Sequence, residues 1–248
     1  MPFYWHVGRP NFGDDINPSF FQIACQETVK LQTSRDNLHF LGMGSILDRA
    51  TSTSIILGSG CLSQLEPRSV CPANTISVRG ELSRASLAQS DSVLLGDPMV
   101  LLNIVSPQNV QRNGPIGFVP HVSNLRFAYK LKIPNVKVID PGREPWKVIR
   151  EIAGCSRIFS QSLHGLIVAD ALEIPNIWIA PNASMTGANF KFEDYFTTLD
   201  GGKVPHQFNL GTFLHTPQSA FDVCTYKYDK KHYLEALRDA VASMKQDR

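Results

Sequence analysis

The stretch RIFSQSLHGLIVADAL, residues 157–172, decides the fold. Residues 157–160 have the pattern of a buried strand, and residues 163–172 predict an apolar helix. A polar turn, Gln161-Ser162, joins the two. Strand, turn and helix form the repeating unit of α/β proteins, in which functional groups gather at the carboxyl ends of parallel strands.

The same alternation continues in both directions along the chain. Short apolar runs predict strands at 3–7, 38–41, 54–57, 75–78, 93–95, 116–119, 136–139, 157–160 and 176–179. Helical periodicity predicts helices at 17–25, 81–88, 125–131, 145–153, 163–172 and 230–245. Right-handed crossovers between such units build doubly wound parallel sheets.

A change of composition at 106–115 predicts a linker, because Pro107, Gly114 and Pro115 interrupt the alternation there. We therefore expect an α/β fold of two Rossmann-like halves that face a cleft, with domains at 1–110 and 111–248. The helix at 230–245 carries Tyr233, Leu237 and Val241 on one stripe. That stripe is expected to pack back on the N-terminal half.

Composition narrows the class of protein. Apolar residues make up 43% of the 248 and charged residues 19%, as in globular proteins. The net charge of +2 gives no reason to expect nucleic-acid binding. The start lacks the pattern of a signal peptide, and the apolar runs are too short to cross a bilayer, so we expect a cytoplasmic protein. The five cysteines have no metal-binding spacing and are expected to be structural thiols.

The strongest local signal is Ser160-Gln161-Ser162-Leu163-His164-Gly165. Ser162 is suited to cap the helix, whose free N–H groups and dipole attract an anion. His164 lies in the first turn, where it is a candidate to donate a proton or to hold a phosphate. The alternative is a capping serine beside a histidine packed in the core.

Other candidates follow the remaining strands. Arg79 is suited to clamp a carboxylate or phosphate, or else is a surface residue. Asp14 is a candidate general base or a turn residue, and Asp97 fits a helix cap better than catalysis. The pairs Gly42/Gly44 and Gly58/Gly60 do not extend to a nucleotide-binding motif, and no metal motif is present.

Taken in order, these motifs resemble the polysaccharide pyruvyl transferase family along nearly the whole chain. The matching segments are Asn11-Phe12-Gly13-Asp14-Asp15, Gly42-Met43-Gly44-Ser45, Val78-Arg79-Gly80, Gly96-Asp97-Pro98, Val119-Pro120-His121, Ser162-Leu163-His164-Gly165, Ile174-Pro175 and Phe190-Lys191-Phe192-Glu193-Asp194-Tyr195.

The resemblance implies a transfer of pyruvate from phosphoenolpyruvate to a hexose of a bacterial exopolysaccharide repeat unit. A ketal forms, phosphate leaves, and neither a further cofactor nor a metal ion takes part. The family fold is similar to that of the two-domain GT-B glycosyltransferases. The acceptor is expected to be a lipid-linked saccharide, which would bring a cytoplasmic enzyme to the inner membrane face.

The family pattern also implies roles for individual residues. His164 is the acid, and Asp14 is the best candidate to accept the sugar proton. On the donor side, at 111–248, Ser162, the amide of Leu163 and His121 would contact the donor. On the acceptor side, at 1–110, Asn11 is a further substrate contact, and Arg79 would hold the phosphate or carboxylate of the donor.

One position departs from the pattern, because some members carry an arginine where this chain has Ser162. Lys191 and Arg143 are the candidates for the missing cation. The stretch 190–196 alternates aromatics with charges, which predicts a helix with a packed aromatic face, or a sugar platform formed by Tyr195 and Phe196.

Two other functions remain open at this point. A GT-B glycosyltransferase that uses a nucleotide sugar would share the fold, but only Glu173 and Asp170 are candidates for its ribose contact. A sugar-binding protein with an inactive site is the third reading, and the presence of both Asp14 and His164 argues against it.

Overall fold

A parallel sheet organises the N-terminal part of the computed structural model, which describes residues 1–66, 72–87, 92–182 and 185–246. Its strands are β1 (Pro2–Tyr4), β2 (Lys30–Leu31), β3 (His39–Leu41), β4 (Ser54–Ser59), β5 (Asn74–Val78) and β6 (Leu94–Leu95). They lie in the order β2-β1-β3-β4-β5-β6, and all neighbours are parallel. β4 is buried along its length, as expected of a parallel strand covered on both faces.

A second parallel sheet follows in the C-terminal part. Its strands are β7 (Ile116–Val119), β8 (Val136–Val138), β9 (Arg157–Ser160) and β10 (Asn176–Trp178), in the order β10-β9-β7-β8. A short antiparallel pair, β11 (Leu199–Asp200) and β12 (Thr225–Tyr226), completes the strands of the described ranges. The predicted α/β class with parallel sheets is confirmed.

Helices connect and cover these strands. Within the described residues they are α1 (Phe12–Asp15), α2 (Asn17–Cys25), α3 (Glu81–Arg84), α4 (Leu102–Val105), α5 (Leu125–Leu131), α6 (Pro145–Ala153), α7 (Leu163–Ala171), α8 (Phe190–Phe196), α9 (Leu210–His215) and α10 (Lys230–Gln246). Short 3-10 turns occur at Leu47–Arg49, Pro98–Leu101, Val122–Asn124 and Gln218–Ala220. None of the helices in these ranges has the length and apolar character needed to cross a membrane.

Helix α7 is the central helix of the molecule. All of its residues are buried, because β9 and β10 of its own sheet and the turn Pro98–Leu101, which follows β6 of the first sheet, pack around it. A helix that is apolar on all sides belongs in such a position. This packing brings the loop edge of the first sheet against the start of α7.

The C-terminal helix α10 packs on elements of the first sheet. It contacts α2 and β5, the hydroxyl of Tyr233 donates to the Gly96 carbonyl at 2.6 Å, and Arg238 Nε donates to the Ala24 carbonyl at 2.8 Å. Residues 106–115 contain neither helix nor strand. The division into domains at 110/111 stays a prediction.

Some predicted boundaries were wrong. The first strand ends at Tyr4 rather than at residue 7, where the Val7 side chain is 63% exposed and Gly8 and Pro10 follow. Helix α3 ends at Arg84, and its predicted end at Ala88 lies outside the described residues, as does Cys71. Cys61, Cys155 and Cys224 are buried, as expected of structural thiols.

Candidate active site

One pocket gathers most of the predicted site residues. It has a volume of about 230 Å³ and opens where the segments after β1, β3, β7 and β9 meet. Its lining includes the predicted residues Asn11, Asp14, His121, Ser162, Leu163 and His164, together with His6, Ser45, Arg49 and Lys191. Strand carboxyl ends from both sheets thus contribute to one site, as α/β folds favour.

His164 is held at the start of α7. Ser162 adopts an extended conformation, and its hydroxyl accepts the Gly165 N–H at 3.4 Å, so it caps the helix as predicted. The His164 side chain is only 9% exposed, and its Nε2 is buried 3.5 Å from a carboxylate oxygen of Asp97. A Cβ at Gly13 would collide with the imidazole, so only glycine allows α1 this close approach.

Asp14 enters the pocket from α1. The side-chain amide of Asn11 donates to its carboxylate at 2.8 Å, and the carboxylate also lies beside Gly44, whose φ of +127° favours glycine. Burial raises the pKa of Asp14, while the charge of His164 and the Asn11 hydrogen bond oppose that rise. A carboxylate with a raised pKa is a stronger base than an exposed one.

Buried Asn17 fixes α1 to the glycine-rich turn after β3. Its amide donates to the carbonyls of Asp14, at 2.9 Å, and Met43, at 3.0 Å, and its oxygen accepts the Met43 N–H at 2.8 Å. The position of the Asp14 backbone therefore depends on a hydrogen-bond network rather than on α1 alone.

His121 lines the pocket as a neutral hydrogen-bond donor. Its Nδ1 accepts the Ser123 N–H at 3.3 Å, so the proton of the neutral ring is on Nε2. Burial, with the charges of Lys191 and Arg9, lowers the pKa of His121 to about 4. Buried Gln161 helps to position His121, because the side-chain oxygen of Gln161 accepts the backbone N–H of His121 at 3.4 Å.

Arg79 lies behind the pocket rather than in its lining. It is 1% exposed, and its Nε donates to Asp194 at 2.9 Å while another guanidinium nitrogen donates to Ser45 Oγ at 2.8 Å. Ser45 itself lines the pocket. The structure therefore places Arg79 one layer away from a ligand, and its predicted role as a direct anion clamp stays a prediction.

Lys191 supplies a positive charge at the pocket itself. It lies on α8, three residues before Asp194, and forms no hydrogen bond or ion pair within the described part of the chain. Burial, with the charge of Arg79, lowers its pKa to about 8, and Asp14 opposes that shift. Arg143, the other cation considered, instead pairs with Glu151 at 2.6 Å.

Helix α8 carries packed aromatics beside Lys191. Phe192 stacks on Trp178 with ring centroids 5.3 Å apart, and Tyr195 is fully buried with its hydroxyl 3.1 Å from an Asp170 oxygen. The prediction of a packed aromatic face is confirmed, and a sugar platform formed by Tyr195 is excluded.

Sequence reasoning did not single out His6, Arg49 or Gln161. The first two line the pocket, and Gln161 places His121. Gln161 lies in the polar turn between the strand at 157–160 and the helix at 163–172, and this position is what could have pointed to it. His6 and Arg49 lie outside the motifs, so no spacing pointed to them.

One pocket therefore brings together histidine, carboxylate and lysine side chains and the start of a helix. His164 and Asp14 lie together in this pocket, Lys191 adds a cation whose Nζ lies 5.3 Å from the centroid of the Phe192 ring, and His121 offers a neutral N–H. The first N–H groups of α7 add the positive end of a helix dipole. In the described ranges no group of three or more His, Cys, Asp or Glu side chains is arranged to hold a metal ion.

The fold and this pocket define a class: an α/β protein with parallel sheets and a pocket lined by histidine, carboxylate and lysine side chains at the strand ends. The chain belongs to the polysaccharide pyruvyl transferase family, whose model matches residues 70–182. The matched stretch contains Arg79, His121, Ser162 and His164, which were singled out from the sequence.

Two relatives extend the match beyond that stretch. The chain is 29% identical over 229 residues to the Succinoglycan biosynthesis protein ExoV of Rhizobium meliloti (strain 1021), which covers 85% of this chain and 68% of the relative. It is 30% identical over 216 residues to Uncharacterized protein L143 of Acanthamoeba polyphaga mimivirus, which covers 79% of this chain and 73% of the relative. No solved structure matches the chain.

Proposed function

We propose that this protein transfers pyruvate from phosphoenolpyruvate to two hydroxyls of a hexose, forming a ketal and releasing phosphate. The main support for the proposal is that His164, Asp14 and Lys191 line the same pocket. The name of the Rhizobium relative supports an acceptor from an exopolysaccharide repeat unit. A lipid-linked repeat unit at the inner membrane face and a GT-B-like arrangement of two Rossmann-like halves belong to the same proposal.

The donor has two anionic ends, and the pocket has complementary groups. Lys191, the Nε2–H of His121 and the start of α7 at Ser162 and Leu163 are suited to hold phosphate and carboxylate.

The reaction begins with a proton from cationic His164 to C3 of the enol, which leaves an oxocarbenium-like centre at C2. The first sugar hydroxyl forms a bond to C2, and Asp14 accepts its proton. The C2–O bond to phosphate then breaks, and the departing phosphate takes the proton from Asp14. The second hydroxyl closes the ketal, and its proton returns to His164, so both residues end as they began.

Ligand-dependent stabilisation tests the donor. Phosphoenolpyruvate at about a hundred times its Kd should stabilise the fold by roughly 2.7 kcal/mol, which corresponds to a Tm rise of roughly 5–10 °C for a chain of this size. UDP, GDP and CMP should leave the Tm unchanged. A rise with one nucleotide and none with phosphoenolpyruvate would contradict the proposal and favour a glycosyltransferase.

Lys191 provides a second test, through both charge and pH. Lys191→Met should raise the KM for phosphoenolpyruvate by about 10- to 100-fold, because a charge-assisted contact to the donor is lost. In the wild type the same KM should rise as the pH passes through about 8, since Lys191 loses its proton there. The pH dependence of the KM, measured between pH 7 and 9.5, should be weaker in the variant.

Lys231→Met is the matched control, because Lys231 is an exposed lysine on α10. Its KM and pH dependence should equal those of the wild type. If Lys191→Met also behaves like the wild type, the anion is bound elsewhere.

A further inference from the structure

The geometry points to Asp97 as the residue that positions His164, by holding its buried Nε2–H so that the acid proton leaves from Nδ1. This inference rests on the proposed function for its chemistry, although the hydrogen bond is a property of the protein alone. It assigns Asp97 a role beyond the helix cap predicted from the sequence.

The two carboxylate oxygens of Asp97 have different surroundings. Oδ1 accepts the Met99 N–H at 3.0 Å and caps the turn Pro98–Leu101, which confirms the predicted cap. Oδ2 is buried without a hydrogen bond in the described structure and lies 3.5 Å from Nε2 of His164. One oxygen therefore satisfies the backbone, and the other is left for the imidazole.

The Nε2 atom of His164 also lacks a hydrogen bond to any described residue. Nε2 of His164 is buried and has no hydrogen-bond partner within the described ranges. Two buried, unpartnered polar atoms each carry a desolvation cost that a mutual hydrogen bond would remove. Catalytic hydrogen bonds are often long in the free enzyme and shorten in the complex, so a movement of about half an ångström makes this one.

Among the described residues, the other contacts of the His164 ring do not involve Nε2, so Asp97 is the polar neighbour of that nitrogen. The Gly13 backbone lies against the Nδ1 edge, and Phe12 packs edge-on with ring centroids 6.2 Å apart. The other charged or titratable groups that line the pocket are Asp14 on α1, Lys191 on α8, His6, Arg49 and His121. Asp97, which follows β6, does not line it.

A fixed Nε2–H decides which nitrogen does the chemistry. Nδ1 is the ring nitrogen left for the pocket, at the edge beside Gly13, where the absence of a Cβ leaves room for it. With Nε2–H directed at the carboxylate, the second proton of the imidazolium is on Nδ1 and passes from there to C3 of the enol. The Nε2–H bond stays intact throughout, and Nδ1 later accepts the proton of the second hydroxyl.

The test uses Asp97→Asn, which keeps an acceptor for the Met99 N–H but removes the negative charge. We expect kcat for pyruvyl transfer to fall about 10- to 100-fold while the KM for phosphoenolpyruvate changes less than about threefold. The alkaline limb of the pH–rate profile should move to lower pH, because the imidazolium has lost its stabilising carboxylate. Asp229→Asn is the matched control, since Asp229 caps the start of α10 and does not line the pocket.

A second measurement does not depend on catalysis. Long-range ¹H–¹⁵N spectra of the wild-type protein report which ring nitrogen of His164 is protonated in the neutral form, and we expect Nε2. A neutral ring with its proton on Nδ1, or an Asp97→Asn variant with the wild-type rate and pH profile, would overturn the assignment. Absence of any pyruvyl transfer in the wild type would remove the proposed function, while the spectra would still decide the hydrogen bond.

Discussion

Replacing His164 by glutamine is expected to lower kcat for pyruvyl transfer by about 10²- to 10⁴-fold, the contribution typical of a positioned general acid. Glutamine fills a similar volume beside Gly13 and keeps an N–H for hydrogen bonding, but it has no proton to give at neutral pH. The loss should therefore fall on the chemical step rather than on the folded structure.

Three measurements separate that loss from other effects. The variant should unfold near the wild-type temperature and should still be stabilised by phosphoenolpyruvate, because Lys191 and His121 are unchanged. His215→Gln, at an exposed histidine at the end of α9, should retain the full rate. A His164→Gln enzyme with wild-type kcat would require another acid, and the role of the pocket would have to be assigned again.

The fold could be predicted where local patterns and tertiary packing agree. The elements at 116–119, 125–131, 145–153 and 157–160 match the structure to the residue, because each couples a clear apolar period to a turn or cap signal. The antiparallel pair β11–β12 and helix α9 were not predicted. β11 and β12 are two residues each and far apart in the chain, so no local period marks them.

Much of the candidate site followed from one rule, that polar residues at strand ends of a parallel sheet meet at the same edge. This rule brought Asp14, His121 and His164 together correctly, since all three line the pocket. It did not show that Arg79 is turned inward, because its partner Asp194 lies 115 residues further along the chain. The rule also does not indicate how deeply a side chain is buried. Burial lowers the pKa of Lys191, and no spacing in the sequence predicts that burial.

The inward position of Arg79 leads to the second large expected effect. Arg79→Ala should lower the free energy of unfolding by about 3–5 kcal/mol, because it leaves the buried carboxylate of Asp194 without its cation. Urea denaturation measures this change directly. Arg84→Ala is the matched control, since Arg84 pairs with Glu81 at the surface, and it should cost no more than about 1 kcal/mol.

A double variant tells whether Arg79 acts on the donor directly or through α8. Arg79→Met with Asp194→Asn removes both charges and keeps an acceptor for the Ser83 N–H, which Asp194 now accepts at 2.9 Å. Arg79→Ala is also expected to raise the KM for phosphoenolpyruvate, either because the donor loses a direct contact or because α8, which carries Lys191 and Asp194, shifts. The double replacement should recover much of the lost stability. If the KM for phosphoenolpyruvate recovers as well, Arg79 is a positioning residue. If the protein is stable but the KM stays high, the guanidinium reaches the anion itself, as the family resemblance implies, and must turn from Asp194 when the donor binds.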